Sequence, residues 1–204
     1  MKSGQLVVFE GADGVGKSEL VDRFSAWLIK EGYVTEVLSF PGKEDGTLGR
    51  LVYELHARPE QFDVRTLTPA SLQALHIAAH LDAIERRILP SLKSGRTVVL
   101  DRFWWSTYVY GSASGVKRLI LERMIATEKA AWGSVKPRLV YVVDRTTPLR
   151  PEPHGLWSKW RQGYRKLIST EKRRYPCEIV ANEDGVEETL EQLVGSWKKR
   201  SKTK

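Results

Sequence analysis

Short apolar runs recur along the chain and predict β-strands. Four of them are rich in Val, Ile and Leu, and a fifth, weaker run covers Glu178–Ala181. The four clear runs are Leu6–Phe9, Val34–Phe40, Thr97–Leu100 and Leu139–Val143. Successive apolar positions of this kind are typical of parallel strands that are buried on both faces. The pattern therefore predicts a parallel sheet that is covered by helices on each side.

Helical patterns separate the predicted strands. One helix face is formed by Leu20, Val21, Phe24, Trp27 and Leu28. Gly32 is expected to end this helix, because glycine readily adopts the left-handed conformation that follows many helices. The longest helical pattern runs from about Pro69 to Leu92, and Pro90 is expected to bend or end it. Strands that alternate with helices in this way predict a three-layer α/β sandwich.

Length and composition narrow the class of protein. At 204 residues, 41% of them hydrophobic, the chain is expected to form a single globular domain over residues 1–204. No apolar run approaches the roughly 20 residues that cross a bilayer, and Met1–Gln5 lead directly into a strand. We therefore expect a cytoplasmic protein with no membrane partner. Cys177 is the only cysteine, which excludes an intramolecular disulfide and a thiolate metal cluster.

The charge of the chain favours anionic partners. Its formal net charge is +8, which suits nucleotides, nucleic acid or phosphorylated metabolites. Part of this charge lies in a basic tail at residues 198–204, which we expect to be solvated and frayed. The least regular internal stretch, residues 144–155, contains Pro148, Pro151 and Pro153. Such a long loop in a compact domain is usually functional, and we place a lid segment at about residues 144–160.

The sharpest motif is a phosphate-binding loop between the first predicted strand and the first predicted helix. It matches G-x-x-x-x-G-K-[ST] in full and comprises Gly11, Ala12, Asp13, Gly14, Val15, Gly16, Lys17 and Ser18. Glycines allow a turn in which successive backbone N–H groups point inward around phosphate oxygens. In such a loop the lysine reaches the β- and γ-phosphates and the final hydroxyl ligates Mg²⁺. The motif predicts that Lys17 and Ser18 bind ATP and Mg²⁺.

A carboxylate and an arginine follow a later apolar strand. Asp101 ends the run Val98–Leu100 and is expected beside the phosphate-binding loop, where it completes the Mg²⁺ site with Ser18. Arg102 is expected to project into the same crevice. The alternative is that the two residues form a pair that caps the following helix.

At these residues the chain resembles the thymidylate kinase family. The segment from Phe9 to Ser18 is similar to that family's F-E-G-x-D-G-x-G-K-S opening. Further similarities are Phe40-Pro41-Gly42 with the later Gly46-Thr47-Leu48-Gly49-Arg50, then Asp101-Arg102-Phe103 with Ser106 and Tyr110, and finally Arg161 with Tyr164. The likeness therefore extends over most of the chain.

The resemblance implies a five-stranded parallel sheet, ATP–Mg²⁺ as donor, a nucleoside monophosphate such as dTMP as acceptor, and in many members a homodimer. Arg102 would grip the acceptor phosphate, while Lys17, Asp101 and the lid arginines Arg145 and Arg150 would complete the catalytic set. Acceptor-binding positions would be Glu10, Phe40, Pro41, Lys43, Arg50, Ile77, His80, Arg102, Trp105, Ser106 and Tyr110.

The chain departs from the family on the acceptor side. A stacking aromatic residue and an arginine that holds the nucleotide are replaced by Ile77 and Leu81, and a glutamine is replaced by Gly111. The family's lid helix is reduced to the proline-rich segment. Because the donor motif is intact, ATP use is better supported than dTMP use.

Aromatic and histidine residues elsewhere in the chain could take over the roles of the missing acceptor-side residues. Each of them also has an ordinary structural interpretation. Trp104 and Trp105 either provide a stacking surface or pack in the core. His76 and His80 are spaced to chelate a metal, although a polar helix face or an acceptor contact is the alternative.

A basic stretch beyond the lid leaves the identity of the phosphoryl acceptor undecided. It interleaves Lys159, Arg161, Arg165, Lys166, Lys172, Arg173 and Arg174 with Trp157, Trp160, Tyr164 and Tyr175. It either tracks a nucleic-acid backbone or forms a solvated face with its aromatics turned inward. Three functions remain: a nucleoside-monophosphate kinase, a kinase of a modified base or hydroxyl in DNA, and an ATP-binding regulatory protein without turnover.

Overall fold

A computed structural model describes residues 4–152 and 155–201 of the protein. Its five strands are all parallel and lie in the order β2-β3-β1-β4-β5. The strands are β1 (Gln5–Glu10), β2 (Thr35–Ser39), β3 (Thr97–Asp101), β4 (Leu139–Asp144) and β5 (Cys177–Ala181). The predicted parallel sheet is confirmed, including its weaker fifth strand. Because β1 is central, the loop that follows it opens between the carboxyl ends of β3 and β4.

Helices cover the sheet, as the alternating pattern predicts. They are α1 (Lys17–Lys30), α2 (Leu48–Ala57), α3 (Pro69–Ala83), α4 (Leu89–Lys93), α5 (Trp104–Ala113), α6 (Arg118–Trp132), α7 (Leu156–Glu171) and α8 (Val186–Ser201). A short 3₁₀ turn, Pro59–Phe62, lies between α2 and α3. Gly32 follows α1 with φ 84°, which confirms its predicted part in ending the helix.

Pro90 neither ends nor sharply breaks the long predicted helix. A π-helical turn, Ile84–Ile88, joins α3 to α4, and Pro90 is the second residue of α4. Proline has no N–H to donate and crowds the carbonyl four residues earlier, so a wider turn just before it removes that conflict. The chain stays helical to Lys93, and the turn changes which side chains face the sheet.

The core lies between the central strands and the helices. All six residues of β4 and five of the six in β1 are buried, which matches the continuous apolar pattern of these strands. Trp104 and Trp105 are 2% and 0% exposed and belong to this core. Trp104 and Trp105 therefore pack in the core and do not form a stacking surface. The expectation that Trp105 binds the acceptor is wrong, because none of its surface is accessible.

The two irregular segments differ from each other. Residues 145–152 of the lid segment contain no helix or strand, while Pro153 lies outside the described residues. In the basic tail, α8 continues to Ser201, so Lys198, Lys199 and Arg200 are helical rather than frayed. Residues 202–204 lie outside the described ranges, as does the start of the chain at residues 1–3.

Candidate active site

The phosphate-binding loop joins β1 to α1 and is tightly wound. Gly11 and Gly16 have φ of 142° and 81°, a backbone region that glycine adopts at low cost. A Cβ on Gly11 would overlap the Val143 carbonyl, and one on Gly16 would overlap the side-chain amide of Asn182. Asn182 also donates a 2.8 Å hydrogen bond to the Val15 carbonyl. The loop is therefore held in a closed turn at the N-terminus of α1, as its motif requires.

Lys17 and Asp101 meet where this turn leads into α1. The Lys17 ammonium lies 3.8 Å from Asp101 Oδ1, and Lys17 is only 6% exposed. Burial lowers the pKa of Lys17, with a further lowering by Arg102 that Asp101 and Asp13 oppose. Asp101 Oδ1 is buried and accepts no hydrogen bond from the residues that the structure describes. A buried carboxylate oxygen that accepts no hydrogen bond is a position where a cation can bind.

Arg102 points its guanidinium at the phosphate-binding loop. Its φ is 77°, a left-handed conformation that costs free energy in a residue with a side chain. The guanidinium bonds the Asp13 carboxylate, donates to Ser106 Oγ at 2.9 Å and stacks on the Tyr110 ring at 5.1 Å. This strained residue is thus fixed on three sides within reach of the loop.

Glu10, rather than the Asp101–Arg102 pair, caps α5. Its Oε1 accepts from the backbone N–H groups of Phe103 and Ser106 at 2.8 and 3.0 Å. Its Oε2 accepts from Ser106 Oγ at 2.6 Å and Tyr164 OH at 3.0 Å. Burial raises the pKa of Glu10 to about 7, opposed by the hydrogen bond from Ser106 and the charges of Arg102 and Lys17. Both carboxylate oxygens are engaged, so the expectation that Glu10 contacts the acceptor is wrong, and so is the capping alternative for Asp101 and Arg102.

Aromatic residues of α7 support the loop from behind. Trp157 Nε1 donates a 2.8 Å hydrogen bond to the Asp13 carbonyl, and Trp160 stacks on Tyr110 at 4.6 Å. The Tyr110 hydroxyl accepts from the Asp13 N–H at 3.0 Å. Trp157, Trp160 and Tyr164 are buried, which agrees with the second interpretation of the basic stretch, a solvated face with its aromatics turned inward. Their three- and four-residue spacing predicts an inward face, but not its target.

On α3, the expected acceptor-binding residues His80 and Ile77 are both buried. His80 stacks on Phe40 with ring centroids 3.9 Å apart, and its Nδ1 lies 2.8 Å from Glu128 Oε2. Burial lowers the pKa of half-buried His76 to about 3, with smaller effects from His80, His56 and Arg102. Ile77 is 5% exposed, which leaves little surface for an acceptor.

This histidine pair is not a metal site. Within the described ranges, no three His, Cys, Asp or Glu side chains converge in a way that would hold an ion. Nδ1 of His80 is instead engaged by a buried carboxylate from α6. The alternative of a polar helix face beside the site is therefore the better interpretation.

The loop after β2 forms the rim of the site. The Phe40 N–H donates to the Asp101 carbonyl at 2.9 Å, which ties this loop to β3. Lys43 is exposed and lies 5.5 Å from the Tyr53 ring, while Arg50 pairs with Glu54 at 2.6 Å. A cleft of about 510 Å³ opens here, between α1, β2 and the end of α3. Its lining includes Pro41, Lys43 and the expected metal ligands Ser18 and Asp101.

The lid arginines have different partners. Arg150 pairs with Glu152 at 2.8 Å, in a segment whose Leu149 N–H donates to the Gly14 carbonyl at 2.8 Å. Arg145 turns away and bonds the Asn182 carbonyl. Arg161 and Arg165, beyond the lid, both bond Asp144 at the end of β4. Of the four, Arg150 belongs to the stretch that packs on the phosphate-binding loop.

A wound loop after β1, a lysine in contact with the carboxylate of β3, and an arginine aimed at both define a P-loop phosphotransferase. The thymidylate kinase family model matches residues 9–155 of the chain. The chain belongs to the thymidylate kinase family. It is accordingly an ATP-dependent nucleotide kinase, whose reaction is phosphoryl transfer to a nucleoside monophosphate.

Known thymidylate kinases are similar to the chain over most of its length. That of Caldanaerobacter subterraneus subsp. tengcongensis is 31% identical over 202 residues, covering 92% of this chain and 90% of the relative. That of Jannaschia sp. is 32% identical over 212 residues, covering 93% and 95%. The crystal structure of thymidylate kinase from Ehrlichia chaffeensis aligns with a TM-score of 0.76 over 96% of this chain and 99% of that one. At 18% identity, the last comparison shows a shared fold.

The helices add one negative finding. Across residues 4–152 and 155–201, none of them has both the length and the apolar character needed to cross a membrane.

Proposed function

We propose that this protein transfers the γ-phosphoryl group of ATP to dTMP in a Mg²⁺-dependent reaction. The observation that carries the proposal is the meeting of Lys17, Asp101 and Arg102 at the phosphate-binding loop. Phosphoryl transfer asks the protein mainly to position two substrates and to neutralise charge on the transferred oxygens. These three side chains are placed for both tasks.

The donor side consists of the loop amides and Lys17. The backbone of residues 11–18 is held by Asn182 and Trp157, so its N–H groups need little rearrangement to accept phosphate oxygens. Lys17 is buried at the turn, where a cation interacts more strongly with phosphate than it would in water. Arg150, in the stretch that covers Gly14, is the lid arginine that we assign to the phosphates.

Asp101 and Ser18 are the residues that would hold Mg²⁺. Asp101 offers a buried oxygen without a hydrogen-bond donor, and Ser18 lines the same cleft. One carboxylate with one hydroxyl is a sufficient protein contribution, because Mg²⁺ takes its remaining ligands from phosphates and water. The bound ion would supply charge neutralisation at the β- and γ-phosphates.

On the acceptor side, Arg102 is the residue that we assign to the acceptor phosphate. Ser106 and Tyr110 hold its guanidinium in place, and the Asp13 carboxylate balances its charge. A planar fork in a fixed position suits a tetrahedral oxyanion, which it can contact through two N–H groups. Lys43, on the loop after β2, and Arg50, in the first turn of α2, belong to the segment that would close this side.

The test is an ADP-release assay with a panel of common deoxynucleoside and nucleoside monophosphates. ATP should be converted to ADP rapidly only when a suitable monophosphate is present, with dTMP the best acceptor. Lys17→Ala should abolish the reaction, and Lys166→Ala, on the exposed face of α7, should leave it unchanged. Failure of every monophosphate to stimulate ADP release would refute the proposal.

A further inference from the structure

Arg87 connects the π-helical turn before α4 to the loop after β2. Its guanidinium faces two carboxylates: Nη2 donates to Glu36 Oε1 of β2 at 2.8 Å, and Nη1 bonds Glu44 of the loop. A further contact of 3.5 Å joins Nη2 to the other carboxylate oxygen of Glu44. One side chain therefore spans from the long helix to the edge strand of the sheet and to the rim of the site.

The π-helical turn determines where Arg87 points. The turn covers Ile84–Ile88, and Pro90 follows it in α4. Because a π-helical turn holds more residues than an α-helical one, it rotates the side chains that follow it relative to those before it. Ile84 and Ile88 are fully buried, while the side chain of Arg87 is 41% exposed and reaches along the surface of β2. Single turns of this kind occur often at functional sites.

Glu36 holds one end of the Arg87 guanidinium firmly. Its side chain is 15% exposed, bonds the Ser91 hydroxyl, and lies 3.9 Å from Arg96. Burial favours the neutral carboxyl, but the hydrogen bonds from Ser91 and Arg87 outweigh it and lower the pKa of Glu36. Glu36 is therefore ionised at neutral pH. An ion pair that is partly shielded from water is stronger than an exposed one, so Arg87 is fixed at its β2 end.

Glu44, at the other end, belongs to a tightly folded loop at residues 41–47. The Thr47 hydroxyl donates to the Glu44 carbonyl at 2.6 Å and also forms the N-terminal cap of α2. A Cβ on Gly49 would lie 2.0 Å from the Pro41 carbonyl, so the first turn of α2 packs directly on the start of the loop. Because the loop is compact, a contact at Glu44 fixes the position of the residues beside it.

This loop forms one wall of the cleft described above. Lys43, Glu44 and Arg87 all line the cleft, together with the expected metal ligands Ser18 and Asp101. Lys43 directly precedes Glu44, so the place of its ammonium group depends on where the loop lies. The Arg87 guanidinium is occupied by two carboxylates, which leaves Lys43 as the cation that the loop offers to the acceptor side.

We propose that Arg87 is a positioning residue for the acceptor nucleotide, because its contact with Glu44 fixes the loop, and with it Lys43, against the sheet. This inference rests on the proposed function, and Arg87 acts through the loop rather than by touching a substrate. Without the contact, more of the loop's freedom would have to be lost when the acceptor binds, which raises KM for the acceptor. The donor side is held by other elements, so binding of ATP should not depend on Arg87.

The experiment measures kcat and KM for dTMP and for ATP in Arg87→Met, Glu44→Ala and the double variant. In each single variant, KM for dTMP should rise roughly twofold to fivefold, as expected for loss of a partly exposed ion pair, while KM for ATP stays unchanged. The double variant should be no worse than the stronger single variant, because both changes remove the same contact. Effects that multiply in the double variant, or an equal rise in KM for ATP, would overturn the inference.

Two features keep the test decisive. Glu44→Ala leaves the pair of Arg87 with Glu36 intact, so it serves alone if Arg87→Met proves unstable in thermal unfolding. Arg86→Met is the matched control, because the neighbouring Arg86 pairs with Asp82 at 2.8 Å, and it should behave as wild type. If no monophosphate is phosphorylated at all, the proposed function fails and this inference fails with it. If dTMP is phosphorylated and both single variants keep the wild-type KM for dTMP, only this inference fails.

Discussion

At the scale of single residues, Glu10 shows how one carboxylate ties the site together. It leaves β1, caps α5 through Phe103 and Ser106, and accepts a hydrogen bond from Tyr164 of α7. Three elements therefore depend on one side chain in the middle of the site. Burial raises the pKa of Glu10 to about 7, so its protonation changes near neutral pH.

Glu10 should make stability fall as the pH rises towards neutrality. Folding raises its pKa from 4.5 to about 7, so the folded state holds this proton more tightly than the unfolded state. The resulting stabilisation is complete below pH 4.5 and is lost as the pH passes through 7, a change of up to about 3 kcal/mol. Glu10→Gln removes this dependence and keeps the shape of the side chain.

Urea unfolding at several pH values between 4.5 and 8.5 measures this effect. The free energy of unfolding of the wild type, minus that of Glu10→Gln, should decrease from pH 4.5 to slightly above 7 and then level off. A difference that is constant with pH, or that increases, would contradict the assignment.

Asp101 should control the need for Mg²⁺. Asp101→Asn keeps the size of the side chain but replaces one oxygen and removes the charge, so the concentration of Mg²⁺ at half-maximal rate should rise at least roughly tenfold. Asp22→Asn is the matched control, because Asp22 lines the same cleft from α1. Equal shifts in the two variants would mean that the cleft as a whole, and not Asp101, attracts the ion.

At the scale of elements, the lid segment already lies on the phosphate-binding loop. A Cβ placed on Gly14 would be 3.0 Å from Pro148 and 3.3 Å from a Glu152 oxygen, so both residues cover this loop. The side chain of Glu152 is 10% exposed and neutralises Arg150. A carboxylate therefore lies where the triphosphate has to approach.

Glu152→Gln should tighten the binding of ATP. Removing a negative charge a few ångströms from the phosphates, and releasing Arg150, favours the nucleotide by about 1 kcal/mol, or roughly fivefold in KM for ATP. KM for the acceptor should not change. Glu122→Gln removes a comparable surface pair on α6 and should have no effect; an unchanged or higher KM for ATP in Glu152→Gln would contradict the interpretation.

Elements with strong local patterns could be predicted, and contacts between distant elements could not. The strands and the phosphate-binding loop follow from hydrophobic runs and a motif of eight consecutive residues. The spacing of His76 and His80 could be read from the sequence, but the contacts of His80 with Phe40 and Glu128 could not, because these partners lie on other elements. The bond from Trp157 to Asp13 joins residues 144 positions apart, which no local pattern encodes.

At the scale of the whole molecule, the basic stretch beyond the lid places its charged side chains on the surface and its tryptophans in the interior. Lys159, Lys166, Lys172 and Arg173 are exposed, whereas the tryptophans between them lie inside. A surface that offers charge without stacking attracts any polyanion by counterion release and has little sequence or base preference. This arrangement argues against nucleic acid as the acceptor.

Binding to a single-stranded oligonucleotide should therefore be weak and should disappear as salt is raised. Fluorescence anisotropy of a labelled oligonucleotide between 50 and about 200 mM salt measures this, since each phosphate contact adds to the salt dependence. No phosphate should pass from γ-labelled ATP to the oligonucleotide. Labelled polymer, or binding that persists at high salt, would restore the alternative acceptor.

The bond between Trp157 and the Asp13 carbonyl also gives the enzyme a built-in optical probe. An indole emits differently when its N–H is bonded and its ring is shielded, and the ring of Trp157 is 9% exposed at the edge of the triphosphate turn. Any movement of that turn as nucleotide enters changes the surroundings of this chromophore. Occupancy can thus be followed in unlabelled protein, with Trp157→Phe isolating its share of the emission from that of the other six indoles.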